Sequence, residues 1–369
     1  MQNKVKHILF TGGGTGGHLF PALSIAESLK ELDSSCMISF IGTKNKIEAR
    51  IVPQSGFPFY PIWISGLHRR FTLKNLLLPI KISVSLLQVY NLLKKLSPSI
   101  IIGTGGYVCG PVLRVASWLK IPTIIHESNS FPGITTRIQS KRAEKVYLAF
   151  EETKKYLSKK VNYEVVGNPT RKKFGTISKT AGNKYFGLNP DLKTILVFGG
   201  SLGANKINNS IYSILDLLQK KNYQIIWQTG AKDAAFYQST IKLINVKIFQ
   251  FIDEMEYAYA ASDIVVCRAG ATTISELTLL GKPAILIPYP FAAGNHQFYN
   301  AKTLVDKNAA VMIEEKNLDE KLFNTITELL DSENKLKSIS TECKKLGKPN
   351  VSSIIAKQIL QRISEQVNE

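Results

Sequence analysis

The sequence has few cysteines and no long apolar run. Its four cysteines, Cys36, Cys109, Cys267 and Cys343, are widely separated among 369 residues and form no C-x-x-C pair. This spacing argues against a disulfide framework or a zinc cage and is typical of reduced thiols in a cytosol. A stretch of about 18 apolar residues, as a transmembrane helix needs, does not occur. The first ten residues also lack the features of a signal peptide. We therefore expect a protein that is made and kept in the cytoplasm.

Acidic residues are missing from one long interval. No Asp or Glu lies between Glu48 and Glu127, whereas nine Lys and Arg residues do. The whole chain carries 47 basic and 28 acidic residues, a formal net charge of +19. A lysine-rich proteome would explain this net charge better than it explains the missing acids. A surface with cations and no anions favours a polyanionic partner, either nucleic acid or an anionic membrane leaflet.

Short β-branched runs alternate with helical stretches, as in proteins built from βαβ units around parallel sheets. The predicted strands cover residues 7–11, 37–41, 99–102, 122–126, 145–149, 163–166, 194–198, 224–228, 247–251, 264–267, 284–288 and 310–313. Helices are predicted at 206–218, 297–305 and 351–367. Residues 171–192 are polar and lack a clear period, which predicts a domain connection with a surface loop.

This pattern predicts an α/β fold of two Rossmann-like domains with a cleft between them. The first domain covers residues 1–166, the second covers residues 167–349, and a terminal helix occupies residues 350–369. Ligands of open α/β sheets bind outside the carboxyl ends of the strands. A cleft between two such domains suits a reaction of two substrates.

Four loops of small residues follow predicted strands. They are TGGGTGGH at 11–18, GTGGYV at 103–108, GGSLGA at 199–204 and CRAGATTISE at 267–276. Glycine lets the backbone approach a ligand, and a helix N-terminus offers unpaired N–H groups to an anion. The loops therefore predict phosphate binding in both domains. For any single loop, a tight turn without function is the alternative.

Two residues and one segment among these loops have more than one interpretation. Glu276 is placed to accept hydrogen bonds from ribose hydroxyls, or it forms a capping box with Thr273. His18 is the one histidine of five on a phosphate-type loop, which makes it a candidate general base or a structural histidine. Residues 12–17 also fit G-x-G-x-x-G, but strand 2 is followed by Lys44 instead of an acid, which leaves only an NADP interpretation open.

Residues 67–93 combine leucines with cations. The candidate membrane contacts are Leu67, Arg69, Arg70, Phe71, Lys74, Leu77 and Lys81. Apolar residues ringed by cations suit shallow insertion into an anionic membrane face. A core helix with solvated lysines at its ends is the alternative. Nucleic-acid binding is not expected, because aromatic residues are sparse in this segment.

In their order along the chain, these motifs resemble the bacterial MurG family, the N-acetylglucosaminyltransferases that convert lipid I to lipid II in peptidoglycan synthesis. The resemblance covers essentially the whole chain. It rests on GGGTGGHLFP at 12–21, GTGGYVCGP at 103–111, HESNSFPG at 126–133, VGNPTR at 166–171, GGSLGA at 199–204, FID at 251–253, RAGATTISE at 268–276 and QFYNA at 297–301. Ser128 departs from the family, whose members commonly carry Gln there.

The resemblance implies a GT-B fold whose terminal helix crosses back to the first domain. It implies an inverting, metal-independent hexosyl transfer from UDP-N-acetylglucosamine to the 4-hydroxyl of the muramyl sugar of undecaprenyl-linked lipid I. The protein would act peripherally at the cytoplasmic face of the inner membrane, with the acceptor and membrane on the first domain and the donor on the second.

Family roles fall on a defined set of positions. The implied donor-binding residues, some of which face the reacting centre, are Thr15, Gly16, Gly17, Asn129, Arg171, Ser201, Ile252, Ala271, Thr272, Thr273, Ile274, Ser275, Glu276 and Gln297. Our candidate base is His18. No Asp-x-Asp motif that could hold a metal is present, so we expect no metal and no other cofactor. The alternatives are a UDP-N-acetylglucosamine epimerase of the same fold and an NADP-dependent oxidoreductase.

Overall fold

A computed structural model describes residues 6–66, 78–171, 173–200 and 203–368. The chain forms two compact units. The first unit consists of Met1–Thr170 together with Asn350–Glu369, and the second consists of Arg171–Pro349. None of the helices in the described part of the chain combines the length and the apolarity that crossing a membrane requires.

The first unit is built on a seven-stranded parallel sheet. Its strands are β1 (His7–Thr11), β2 (Met37–Thr43), β3 (Phe59–Ile62), β4 (Ile100–Gly103), β5 (Thr123–Glu127), β6 (Lys145–Leu148) and β7 (Tyr163–Val165). Their order across the sheet is β3-β2-β1-β4-β5-β6-β7. In the register, Ile8 lies between Ile38 and Ile100. Buried apolar residues on both faces explain why these strands read as continuous apolar runs.

Helices cover both faces of this sheet. They are α1 (Gly16–Leu32), α2 (Glu48–Gln54), α3 (Leu78–Leu96), α4 (Cys109–Trp118) and α5 (Ile134–Gln139), with a 3₁₀ turn at Glu151–Tyr156. The C-terminal helix, numbered α15 (Val351–Asn368), packs against α1 in the same unit. Its apolar face, including Ile355 and Ile359, is buried in the core beside Leu29. Arg362 also donates two hydrogen bonds, of 3.0 and 3.1 Å, to the Glu144 carboxylate.

The second unit has a six-stranded parallel sheet in the order β10-β9-β8-β11-β12-β13. Its strands are β8 (Thr194–Phe198), β9 (Gln224–Gln228), β10 (Val246–Phe249), β11 (Ile264–Cys267), β12 (Ala284–Leu286) and β13 (Val311–Met312). Its helices are α6 (Lys179–Phe186), α7 (Asn205–Ser213), α8 (Leu215–Lys220), α9 (Ala234–Thr240), α10 (Met255–Ala261), α11 (Ala271–Leu280), α12 (His296–Val305), α13 (Leu318–Leu330) and α14 (Glu333–Lys345). Short 3₁₀ turns occur at Ala293–Asn295 and Glu315–Asn317.

The α/β fold with a parallel sheet in each domain is confirmed, and the structure differs from the sequence analysis in three places. Residues 171–192 contain helix α6, which starts where the Ser178 hydroxyl accepts a hydrogen bond from the Ala181 amide and ends at left-handed Gly187. The helix predicted at 206–218 is two helices, α7 and α8, that meet at Ile214. Strand β3 was not predicted, because a four-residue strand containing Pro61 at a sheet edge gives little signal.

Candidate active site

The two glycine loops of the first unit interlock at the carboxyl ends of β1 and β4. The amide of Gly13 donates to the carbonyl of Gly105 over 3.4 Å. A Cβ at Gly12 would lie 1.9 Å from the Thr104 hydroxyl oxygen, and one at Gly106 would lie 2.4 Å from the Gly13 carbonyl oxygen. Gly106 also has φ +87°, which favours glycine. Both loops therefore need their glycines in order to pack against each other.

The partly buried His18 lies on this paired-loop structure, at the start of α1. Its Nδ1 is 3.2 Å from the Thr104 carbonyl oxygen, and the Thr104 hydroxyl donates to the His18 carbonyl over 2.8 Å. A proton on Nδ1 would donate to Thr104, which puts the basic lone pair of the neutral ring on Nε2. Thr15, the N-cap of α1, is exposed and makes no side-chain cap, so the helix begins with the amides of Gly16 and Gly17.

Two residues that the sequence analysis missed support these loops. The carboxylate of Glu48 accepts from the Gly14 amide at 3.0 Å and from the Thr43 amide and hydroxyl at 3.1 and 2.6 Å. Tyr107, which hydrogen-bonds Thr43, lies against Gly14, and burial raises the pKa of its phenol. No sequence motif links Glu48 to the first loop, because 34 residues separate it from Gly14.

The loop after β5 is organised by a second buried carboxylate. Glu127 accepts from the amide and the side chain of Asn129 at 3.0 and 3.1 Å and from the Gly133 amide at 3.2 Å. Ser128, where members of the family commonly carry Gln, has a hydrogen-bond partner inside the unit. Its hydroxyl donates to the Asn168 Oδ1 at 3.1 Å. His126 is fully buried, and this burial lowers the pKa of its imidazole.

In the second unit, Gln228 joins two loops that the sequence analysis treated separately. Its side chain donates to the Gly200 carbonyl at 3.0 Å and accepts from the Ile252 amide at 2.9 Å. The side chain of Ile252 is buried, whereas the neighbouring Phe251 is 46% exposed. Ser201, predicted to contact the diphosphate, lies outside the described residues. Gln228 has no motif signal, because it is one of several polar residues at strand ends.

The predicted pyrophosphate loop precedes helix α11, whose N-cap is Gly270 with no side-chain cap. The helix therefore begins with the amides of Ala271, Thr272 and Thr273, which have no carbonyl partner within the helix. The solvent-inaccessible Thr272 hydroxyl has no hydrogen-bond partner among the residues described. Ile274 is buried, and its amide donates to the Gly270 carbonyl at 2.9 Å. The Ser275 hydroxyl likewise donates to the Ala271 carbonyl, at 3.0 Å.

Glu276 lies inside α11, so the alternative that it closes a capping box with Thr273 is wrong. Its carboxylate accepts from the Tyr259 hydroxyl at 2.8 Å, and both side chains are buried. Burial raises the pKa of Glu276 to about 7, against the opposing effects of the Tyr259 hydrogen bond and the Arg171 charge. Arg171 itself is exposed, with its guanidinium over the Phe174 ring. Glu276 is thus a partly protonated acceptor near neutral pH.

Gln297 lies in the first turn of α12. Its Oε1 accepts from the Tyr289 amide at 2.9 Å, which fixes the side chain against the loop that follows β12. Arg268 stabilises the same loop. It donates to the carbonyls of Ile287 and Pro288 at 3.3 Å and forms an ion pair with Glu315. The Arg268 guanidinium also lies 5.2 Å from the centre of the Tyr289 ring.

Six of the seven predicted membrane contacts lie outside the described residues, namely Leu67, Arg69, Arg70, Phe71, Lys74 and Leu77. The remaining one, Lys81, is on α3, where its ammonium donates to the Ser65 hydroxyl at 3.1 Å and lies over the Trp63 ring. A different surface combines the same chemistry. A pocket of about 420 Å³ is lined by Ile134, Arg137, Ile138, Lys141 and Arg142, and the two isoleucines are 68% and 51% exposed.

Comparison with known proteins places this geometry in a family context. Residues 8–148 match the glycosyltransferase family 28 N-terminal domain, and residues 194–355 match the family 28 C-terminal domain. Proteins of Flavobacterium psychrophilum and Desulforamulus reducens are each 40% identical to 97% of the chain, over 98% and 99% of their own lengths. Both are named UDP-N-acetylglucosamine–N-acetylmuramyl-(pentapeptide) pyrophosphoryl-undecaprenol N-acetylglucosamine transferase.

Solved structures show the same fold. The crystal structure of MurG from Acinetobacter baumannii is 27% identical, with a TM-score of 0.74 over 96% of this chain and 99% of that one. A putative UDP-N-acetylglucosamine 2-epimerase from Listeria monocytogenes matches with a TM-score of 0.71 over 98% and 97% of the two chains. At 10% identity, the epimerase shares the fold alone.

Proposed function

Since the chain belongs to glycosyltransferase family 28, as a member of its MurG family, we propose that it transfers N-acetylglucosamine from UDP-N-acetylglucosamine to the 4-hydroxyl of the muramyl sugar of lipid I, giving lipid II. The observation that carries this function is the 40% identity to transferases of that name along 97% of the chain. The epimerase alternative rests on fold likeness alone, at 10% identity. None of the relatives described above is named as an NADP-dependent oxidoreductase.

The donor is held by the second unit. Glu276 accepts hydrogen bonds from the ribose hydroxyls of UDP, because its carboxylate is buried and has only one described hydrogen-bond donor, Tyr259. The amides of Ala271, Thr272 and Thr273 bind the diphosphate at the N-terminus of α11. Gln297 contacts the sugar, Ile252 contacts the uracil through its backbone, and Arg171 and Ser201 meet the diphosphate.

The acceptor is held by the first unit, where the glycine loops and Asn129 lie. The acceptor 4-hydroxyl attacks the anomeric carbon from the face opposite UDP, so an α-linked donor gives a β-linked product. His18 takes the hydroxyl proton on Nε2, the nitrogen that its contact with Thr104 leaves as the base. Thr15, Gly16 and Gly17 contribute to the same reacting centre. The C–O bond to the diphosphate breaks as the new glycosidic bond forms.

Departure of UDP is assisted by fixed dipoles and by arginine, without a metal. The amides at the start of α11 and the Arg171 guanidinium stabilise the negative charge that develops on the β-phosphate. Such preorganised donors are worth roughly 3–4 kcal/mol each when aimed at the developing charge. The absence of Asp-x-Asp from the sequence supports this arrangement.

The first unit also binds an anionic membrane surface, at the cytoplasmic face of the inner membrane. Between Asp33 and Glu144 the sequence has only two acids, Glu48 and Glu127, and both are buried. This part of the chain therefore presents cations without exposed carboxylates. The exposed Ile134 and Ile138 beside three cations supply the apolar contact. We expect no nucleic acid to bind.

The test is an assay with UDP-N-acetylglucosamine and a soluble lipid I analogue, in buffer containing a chelator. We expect released UDP and a β-1,4-linked disaccharide in equal amounts, and neither product without the acceptor. A requirement for added divalent metal would contradict the metal-independent mechanism. Formation of the 2-epimer of the donor sugar without acceptor would show that the protein is the epimerase instead.

A further inference from the structure

Glu48 is a buried carboxylate to which the proposed mechanism gives no role. It is the first residue of α2 and is 1% exposed. Burying a charge is costly unless hydrogen bonds compensate, and the three described donors to it are the Gly14 amide of the first glycine loop and the amide and hydroxyl of Thr43 at the end of β2. Space for it is made by two glycines, since a Cβ at Gly13 would lie 2.5 Å from its carboxyl carbon and one at Gly42 would lie 2.7 Å from its Cγ.

One oxygen of Glu48 holds the first glycine loop in place. Oε2 accepts from the amide of Gly14, a residue with φ +86°. That amide is therefore not available to an anionic ligand. The neighbouring Gly13 meets the second loop through both of its backbone groups. Its amide donates to Gly105, and its carbonyl oxygen fills the space where a side chain at Gly106 would lie.

The second loop in turn fixes the ring of His18. A Cβ at Gly105 would lie 2.6 Å from His18 Nδ1, so the ring packs directly on this glycine. The adjacent Thr104 carbonyl oxygen lies within hydrogen-bond distance of Nδ1, and the Thr104 hydroxyl donates to the His18 carbonyl. A continuous series of contacts thus joins the Glu48 carboxylate to the imidazole through Gly14, Gly13 and Gly105.

We propose that Glu48 is a positioning residue for the transfer and acts through His18. Its carboxylate holds the first glycine loop against the second glycine loop. The second loop holds the imidazole in the orientation and tautomer that general-base catalysis needs. This role rests on the proposed function and on His18 as the base. The competing explanation is that Glu48 only stabilises the fold.

The test is a double-mutant cycle of Glu48→Gln and His18→Ala in the full-length protein, with kcat and the donor KM measured at saturating lipid I analogue. Glutamine keeps the shape of the side chain, but its amide group turns a donor toward Gly14 or toward Thr43, where the carboxylate offered an acceptor. We expect Glu48→Gln to lower kcat roughly tenfold, less than the roughly 100-fold that a misplacement of about 1 Å can cost, with an unchanged KM for UDP-N-acetylglucosamine. In the His18→Ala background, the same change should alter kcat less than about twofold.

If the two single losses of kcat multiply in the double variant, the residues act independently and the proposal is overturned. A wild-type kcat in Glu48→Gln or in His18→Ala would overturn it too. If Glu48→Gln fails to fold, Thr43→Val removes one donor to the carboxylate, and the same cycle applies, with Thr43→Ser retaining kcat. A Thr43→Val kcat equal to that of Thr43→Ser would contradict the role. Absence of transfer by the wild-type protein would instead refute the proposed function, so the two failures are distinguishable.

Discussion

The hydroxyl of Tyr259 donates a hydrogen bond, of 2.8 Å, to the carboxylate of Glu276 in the middle of α11, and both side chains are buried. Glu276 comes from that helix, and Tyr259 comes from α10, 17 residues earlier. The pair therefore fixes one acceptor on the helix whose first amides we assign to the diphosphate. The first two predictions concern this pair.

Replacing Glu276 with Ala should raise the donor KM more than it lowers kcat. Hydrogen bonds to a charged group contribute about 1.5–3 kcal/mol, so the KM for UDP-N-acetylglucosamine should rise roughly 10- to 100-fold. Tyr259→Phe removes only the hydroxyl that orients the carboxylate and should give a smaller increase. Initial rates over a range of donor concentrations measure both effects. An unchanged donor KM in Glu276→Ala would mean that the carboxylate does not contact the nucleotide.

Donor binding should become tighter as the pH rises through about 7. The raised pKa of Glu276, about 7, means that its carboxyl is protonated below this pH and ionised above it. The ionised form accepts more hydrogen bonds from ribose than the protonated form does. Calorimetric titration between pH 5.5 and 8.5 should show the dissociation constant falling across this window. Glu276→Gln should bind more weakly at high pH and lose the pH dependence, and a persistent dependence would assign it to another group.

Two glutamines at opposite ends of β9 provide a matched pair for the donor loops. Gln228, at the carboxyl end, links Gly200 to Ile252, whereas Gln224, at the amino end, both accepts from and donates to the backbone of Asn189. Each alanine variant should lose roughly 1–3 kcal/mol of folding free energy, because buried backbone groups lose partners. Only Gln228→Ala should raise the donor KM. Thermal melts and steady-state kinetics of both variants make the comparison, and equal KM values would refute the role of Gln228.

Sequence reasoning found residues whose partners are near in the chain and missed residues whose partners are far away in it. The glycine loops were recognisable because the glycines that allow a close approach of the backbone lie next to one another in the sequence. Glu48 and Gln228 were missed because their partners, Gly14 and Ile252, are 34 and 24 residues away and leave no spacing signature. The capping-box alternative at Glu276 was wrong for a similar reason, since the position of a helix N-terminus is decided by tertiary packing.

The strands were easier to predict than the connections. Continuous apolar runs such as residues 194–198 must be covered on both faces, so β8 begins and ends as predicted. Helix α6 was missed because its eight residues bury little apart from Gly182, Asn183 and Phe186. Gly182 is needed there, because a Cβ would lie 2.7 Å from the Tyr257 carbonyl oxygen of α10. A helix that packs through a glycine shows no apolar period.

Gly106 and Gly110 provide a second matched pair, four residues apart. Gly106→Ala should lower both the melting temperature and kcat, because its φ of +87° disfavours a side chain and the new Cβ would meet the Gly13 carbonyl. Gly110 lies in helix α4 with open space around its Cα, so Gly110→Ala should stabilise the fold by up to about 1 kcal/mol. Wild-type kcat in a folded Gly106→Ala variant would show that the contact between the loops is not needed for activity.

The pocket beside α5 should contribute to binding anionic membranes. Lys141→Glu reverses one of its three cations, and Ile138→Glu places a charge on its exposed apolar rim. Since a basic residue near an anionic surface contributes about 1 kcal/mol, Lys141→Glu should weaken binding roughly five- to thirtyfold. Co-sedimentation with vesicles of phosphatidylglycerol and phosphatidylcholine measures this, and pure phosphatidylcholine vesicles should bind the wild-type protein poorly.

The control is Ile244→Glu, which puts the same charge on an isoleucine of the second unit that is 89% exposed, and its binding should equal that of the wild type. Equal losses in Ile138→Glu and Ile244→Glu would attribute the effect to net charge, and the first unit would then have no special role at the membrane.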